Sequence, residues 1–250
     1  MHEFALQSHG WPLLFASNEM KATDQRICAY SGLAFSVLFA VGLATAGWLP
    51  LPSPGLTAQQ VATMYRDHTV GIRVGMFLMI LGAGFFFAFT AVTSHQLLRV
   101  QGSSRAPALL QLIAGTANGV TLLLGPVLFA LTAFRTERDP QLLYALNDLG
   151  WFVFIVPGSP AVFQTLSTAL GVLMDRQPVP VFPRWFGYLS LWAALLFVPT
   201  ILPMFFKAGP FAWNGIFGFY VGATAFFAWI ITLVILLLRA INDEERSSSG

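Results

Sequence analysis

The sequence predicts an all-α fold, a polytopic transmembrane bundle of about six spanning helices joined by short loops, and three observations predict it. Hydrophobic residues make up 56% of the 250-residue chain and charged residues only 10%, whereas soluble domains carry about 25% charge. Six windows are long and apolar enough to cross a hydrocarbon layer of about 30 Å, which takes about 20 residues. The 13 Lys+Arg and 11 Asp+Glu lie between those windows or at their ends.

The first span runs from Ile27 to Leu49 and is closed by Pro50, Pro52 and Pro54, which cannot continue a helix. The following loop, residues 50–68, contains a short interfacial helix. There Thr57 and Gln60 have capping-box spacing, and Val61, Met64 and Tyr65 form one apolar stripe. The second span, Val74 to Ser94, is bracketed by Arg73 at one end and by His95 and Arg99 at the other. The third runs from Pro107 to Phe134. Asp139 and Pro140 then suit an N-cap and a first helical residue, ahead of a fourth span from Asp148 to Met174. A continuous helix from Pro140 to Met174 would be about 52 Å long, too long for one crossing. Pro157, Gly158 and Pro160 therefore predict a break near mid-membrane. The fifth span, Phe186 to Phe206, contains Pro199 and Pro203, and the sixth covers Ile216 to Leu238. Outside the bundle of residues 27–241, residues 1–26 read as a cytoplasmic leader lacking the long apolar run of a secretory signal. Residues 242–250, acidic and then Ser-rich, read as a disordered tail.

Glycines four residues apart, Gly71/Gly75, Gly115/Gly119 and Gly218/Gly222, predict close helix approaches, within the bundle or between copies in a homo-oligomer. In the third span Gln111, Asn118 and Thr121 share a face with Gly115 and Gly125, and that face is expected to point into the bundle.

Lys21, Arg26, Arg99, Arg105, Arg176, Arg184, Arg239 and Arg246 fall on the side of the termini; Arg66, Arg73, Arg135, Arg138 and Lys207 fall opposite. This bias predicts a multi-pass protein of the cell membrane with both termini in the cytoplasm. A net charge of +2 with scattered basic residues speaks against nucleic acid as a partner. Cys28 is the lone cysteine, His2 and His9 lie in the leader, and His68 and His95 lie at opposite membrane faces. Neither a metal nor a cofactor is expected. The sequence contains no GxxxxGK[ST], HExxH or GxSxG motif.

The remaining chemistry-bearing residues gather at the loops opposite the termini. Arg66, Asp67, His68 and Arg73 come from the first outer loop and the edge of span two. Arg138, Asp148 and Trp151 come from the second outer loop and the start of span four, and Lys207, Trp213 and Asn214 from the third. They are the candidate ligand-binding residues of a polar pocket at the outer interface. Its most specific expected contact is an Arg73–Asp148 ion pair, because an ionisable residue at the edge of an apolar span needs a partner. Helix capping and an aromatic belt containing Trp48, Trp151 and Trp213 would explain the same residues without a ligand. The predicted function is binding or passage of an apolar or amphiphilic small molecule, or service as a subunit of a membrane complex, with membrane lipids as surroundings. The alternative is a membrane-embedded enzyme acting on a lipid-like substrate. In it Asp148, Asp67 or His68 serves as acid/base and Arg66, Arg73 or Arg138 holds an anionic head group.

Overall fold

Helix limits in this chain follow from where apolar sequence meets a cap, a glycine or a proline. The computed structural model describes residues 20–102 and 104–248, and every regular element among them is helical. Six helices are long and apolar enough to cross a membrane: Ala22–Thr45, Thr69–Leu97, Ala106–Phe134, Pro140–Leu173, Arg184–Met204 and Ile216–Ser247. Most of the leader, residues 1–19, lies outside the described residues.

The first span, α1 (Ala22–Thr45), begins before the expected Ile27. Its first turn is anchored by Gln25, which is 2% exposed and donates to the Met20 carbonyl at 2.8 Å. Gly47, at a φ of 71° that side chains disfavour, turns the chain away from it. The short helix α2 (Ala58–Asp67) carries the expected capping box in full. Gln60 N–H donates to Thr57 Oγ1 at 3.3 Å, and Thr57 N–H donates to Gln60 Oε1 at 2.8 Å. Val61 and Tyr65 of its apolar stripe are buried, whereas Met64 is half-buried. The second span, α3 (Thr69–Leu97), starts a turn before Arg73, and the third, α4 (Ala106–Phe134), matches its expected limits closely.

The fourth span is broken as expected, into α5 (Pro140–Ile155) and α6 (Ser159–Leu173). Asp139 Oδ1 caps α5 by accepting Gln141 N–H at 2.8 Å. The fifth span is α7 (Arg184–Phe197), followed by a 3₁₀ segment at Val198–Met204 that contains Pro199 and Pro203. The sixth opens with one π turn, Ile216–Tyr220, and continues as α8 (Val221–Ser248).

The disordered tail expected from Asn242 is instead a helical continuation of α8. Arg26 donates to Asn242 Oδ1 at 2.8 Å and pairs with Glu245 at 2.6 Å, and Arg99 pairs with Glu244 at 3.2 Å. Charges on α1 and just past α3 thus hold the end of α8 where its own apolar pattern stops. These contacts put both described chain ends at one face of the bundle; the opposite face is termed distal below.

Small residues set the helix spacing. Gly42 and Gly75 cross with no room for a side chain: a Cβ on Gly42 would lie 2.7 Å from the Gly75 carbonyl, and one on Gly71 would lie 2.7 Å from the Thr45 carbonyl. Gly119 accepts the Phe87 ring and Gly222 the Thr200 methyl. All three glycine pairs are therefore used inside one chain. The outer surface is apolar as well: Ile27, Phe77, Ile113 and Trp192 are 65, 64, 67 and 62% exposed. In a six-span bundle such side chains face lipid, so the chain is a multi-pass membrane protein in contact with membrane lipids.

Candidate functional site

The residues expected to form one polar pocket are distributed over three environments at the distal face. Arg73 is engaged with the C-terminus of α4 and Arg66 with the loop that follows it. Arg73 donates through Nε and Nη2 to the Ala133 carbonyl at 3.0 and 2.9 Å and through Nη2 to the Phe134 carbonyl at 2.9 Å. Arg66 Nε donates to the Thr136 carbonyl at 2.9 Å, and the Arg138 carbonyl accepts a longer bond from Arg66. Helix-end carbonyls lack partners within their own helix, and a guanidinium fork satisfies several at once. The expected Arg73–Asp148 ion pair does not form, because α4 supplies Arg73 with acceptors first. Asp148 Oδ1 is buried without a hydrogen-bond partner.

Asp67 and His68 line a cavity of about 420 Å³ together with Trp48, Pro52 and Gln60. The tryptophans expected at the interface belong to the core. Trp48, Trp151 and Trp213 are 1, 0 and 5% exposed, so they form no lipid-facing belt. Trp151 stacks on Trp213 with ring centroids 6.0 Å apart and meets Trp48 and Phe129 at 5.1 and 4.8 Å. Trp213 Nε1 donates to the Pro52 carbonyl at 2.9 Å, closing the first distal loop onto the third. Beneath them Tyr65 donates to Asn147 Oδ1 at 3.2 Å; burial pushes the Tyr65 hydroxyl well above its usual range, which keeps it a donor. Lys207 is exposed, and Arg138 and Asn214 are half-buried. Among the described residues no three His, Cys, Asp or Glu side chains gather as a metal site.

A second site lies deeper, where the helices depart from regular geometry. The gap between α5 and α6 at Pro157 and Gly158, the 3₁₀ segment after α7 and the π turn before α8 all border one partly open cleft of about 100 Å³. Five of the six spans line it, and Asn118, near the midpoint of α4, sets its depth close to the membrane centre. Its walls are mainly phenylalanine and small residues, including Phe39, Phe154, Phe197, Phe219, Phe226 and Phe227. Thr200 is wedged where Gly158 and Gly222 both lack a Cβ; at Gly158 a Cβ would overlap Thr200 Oγ1. At this depth irregular backbone is tolerated where it is buried in protein or borders a cavity.

Behind one wall is a cluster of buried amides and a hydroxyl. Asn118 Nδ2 donates to Gln164 Oε1 at 3.2 Å. Gln164 Nε2, Thr90 Oγ1 and both amide atoms of Gln111 are buried with no hydrogen-bond partner, and all three side chains are 0% exposed. Gly115 provides the room: a Cβ there would lie 2.7 Å from Gln164 Nε2 and 3.0 Å from Thr90 Oγ1. Threonines in helices commonly donate to a carbonyl one turn back, as Thr93 does to Phe89 and Thr168 to Gln164. Thr90 does not, and its hydroxyl turns to the cluster instead. Replacing Thr90 with valine keeps the shape and removes the unpartnered oxygen. The variant is expected to unfold at higher temperature than wild type in detergent, a gain of about 1 kcal/mol.

The sequence pattern had marked Gln111, Asn118 and Thr121 as one inward face and Pro157–Gly158 as a break, but not Thr90, Gln164 or Thr200. Fold and site define a multi-pass helical membrane protein with a central cleft. Comparison with protein-family models, curated proteins and solved structures found no match.

Proposed function

We propose that this protein binds a small lipid-soluble molecule in the central cleft, between the break in its fourth span and the π turn of its sixth. The observation that carries this reading is the convergence of three irregular backbone segments, from three different spans, on one cavity. A single proline kink is satisfied by its own neighbours, whereas three departures around a common space support the reading of that space as a site. The apolar walls fit an occupant drawn from the surrounding hydrocarbon, and the absence of charged side chains among the lining residues fits an occupant with none. The excess of basic residues at the face of the chain ends supports a cell-membrane protein with that face in the cytoplasm.

Blocking the cleft tests the proposal. Ala223 lines it and is half-buried, so Ala223→Trp fills the space from one wall. Native mass spectrometry is expected to find a small molecule retained by wild type and lost from Ala223→Trp, with the variant melting no lower than wild type. Wild type retaining nothing, or both proteins retaining the same molecule equally, overturns the proposal.

A further inference from the structure

We propose that the molecule held in the cleft is an uncharged amphiphile whose hydroxyl group is received by the side chain of Asn118. This rests on the reading of the cleft as a binding site.

Three polar side chains border the cleft: Asn118, Thr121 and Thr200. The two threonines have already committed their protons, Thr121 to the Asn118 carbonyl at 2.7 Å and Thr200 to the Phe197 carbonyl at 2.8 Å. Asn118 has not. A primary amide offers two N–H donors and a carbonyl oxygen, and one N–H goes to Gln164 Oε1. The bond to Gln164 restrains the Asn118 amide and leaves it one N–H donor and its carbonyl acceptor. A hydroxyl, which donates and accepts at one atom, matches that pair; a hydrocarbon matches neither.

The layer behind Asn118 points the same way. Gln164, Thr90 and Gln111 are 0% exposed and carry polar atoms without partners. At mid-membrane each such atom is costly, and a protein selected for stability alone would have apolar residues there. The fold thus carries hydrogen-bonding capacity that it does not itself use, at Thr90 and Gln164 on either side of Gly115 and at Gln111 one turn away on α4. The charge of the head group is set by what the lining lacks. The residues around the cleft include no Lys, Arg, His, Asp or Glu, so a carboxylate or ammonium would enter a low-dielectric space without a counter-charge.

The test uses the purified full-length protein in phosphatidylcholine nanodiscs and three diazirine-tagged probes of equal chain length: a fatty alcohol, the matching fatty acid and the matching hydrocarbon. After irradiation, labelled peptides from α4 and α8 are quantified by mass spectrometry. The alcohol is expected to label the cleft about tenfold more than either other probe, the size of one good hydrogen bond. Asn118→Leu is expected to reduce the alcohol to the hydrocarbon level while hydrocarbon labelling persists, which a variant that merely failed to fold would not do. The wild-type ratio decides the head-group assignment by itself, and Asn118→Ala is read in the same way as Asn118→Leu if the latter is not recovered. Cleft labelling that is equal for the three probes, or greatest for the acid, overturns the head-group assignment and leaves the binding reading standing. An alcohol preference that survives in Asn118→Leu overturns the role of Asn118. No cleft labelling by any probe overturns both.

Discussion

Replacing Gly75 with valine is expected to destabilise the protein by about 3 kcal/mol or more, at the upper end of overpacking costs. A Cβ at this position overlaps the Gly42 carbonyl and would lie 3.0 Å from Ala46 Cβ. The obstruction is backbone, so no rotamer change relieves it and α1 must move off α3. Gly84 of the same helix provides the control, because a Cβ there meets nothing within 4 Å. Gly84→Val is expected to leave the melting temperature in detergent nearly unchanged, while Gly75→Val lowers it steeply and shifts the protein toward aggregates on size exclusion. Equal behaviour of the two variants would remove the close α1–α3 crossing from the account.

The second large effect is expected at Trp151. Its ring is 0% exposed and is surrounded by Trp48, Phe129, Phe154 and Trp213, with centroids 4.8 to 6.2 Å away. Truncation to alanine leaves a cavity that these flat rings cannot fill without moving, and large aromatic deletions of this kind cost about 3–5 kcal/mol. Trp192 is the matched control, since it is 62% exposed and its contacts in the membrane are lipid. Trp192→Ala is expected to change stability by less than about 0.5 kcal/mol. Denaturant titration of both variants in the same detergent measures the difference. Because Phe154 also lines the cleft, the Trp151 cluster ties the stability of the distal half to the shape of the central site.

These two positions also mark what a single sequence discloses. Gly71 and Gly75 were legible as a close-packing pair, because small residues four apart lie on one helix face whatever the partner is. Which helix they approach was not legible, since that depends on the rotation of α1. Its place near Asp148 predicts an interfacial position for Trp151, yet it packs wholly inside. In a membrane protein the core and the lipid are both apolar, so the periodicity that separates inside from outside in water is nearly lost. The Thr57–Gln60 capping box, the Asp139–Pro140 helix start and the Pro157–Gly158 break were readable because each is a local property of the backbone. The partners of Arg73 are hidden for the opposite reason: they are carbonyls of α4, about sixty residues away, which carry no side-chain signature. Thr90 and Gln164 were invisible as a pair until folding brought α3 and α6 to either side of Gly115. The continuation of α8 past Asn242 depends likewise on Arg26 and Arg99, which sequence order places far from it.

Function at the central cleft requires that the three irregular segments enclose a binding site. The most direct measurement is an experimental density map of wild type purified with its native lipids, beside one of Ala223→Trp prepared identically. The account predicts non-protein density in wild type, bounded by Asn118, Gly158, Thr200 and Gly222, that is replaced by the indole in the variant. Contradiction would be a wild-type map in which the side chains around that space close on one another in van der Waals contact, with no non-protein density among them.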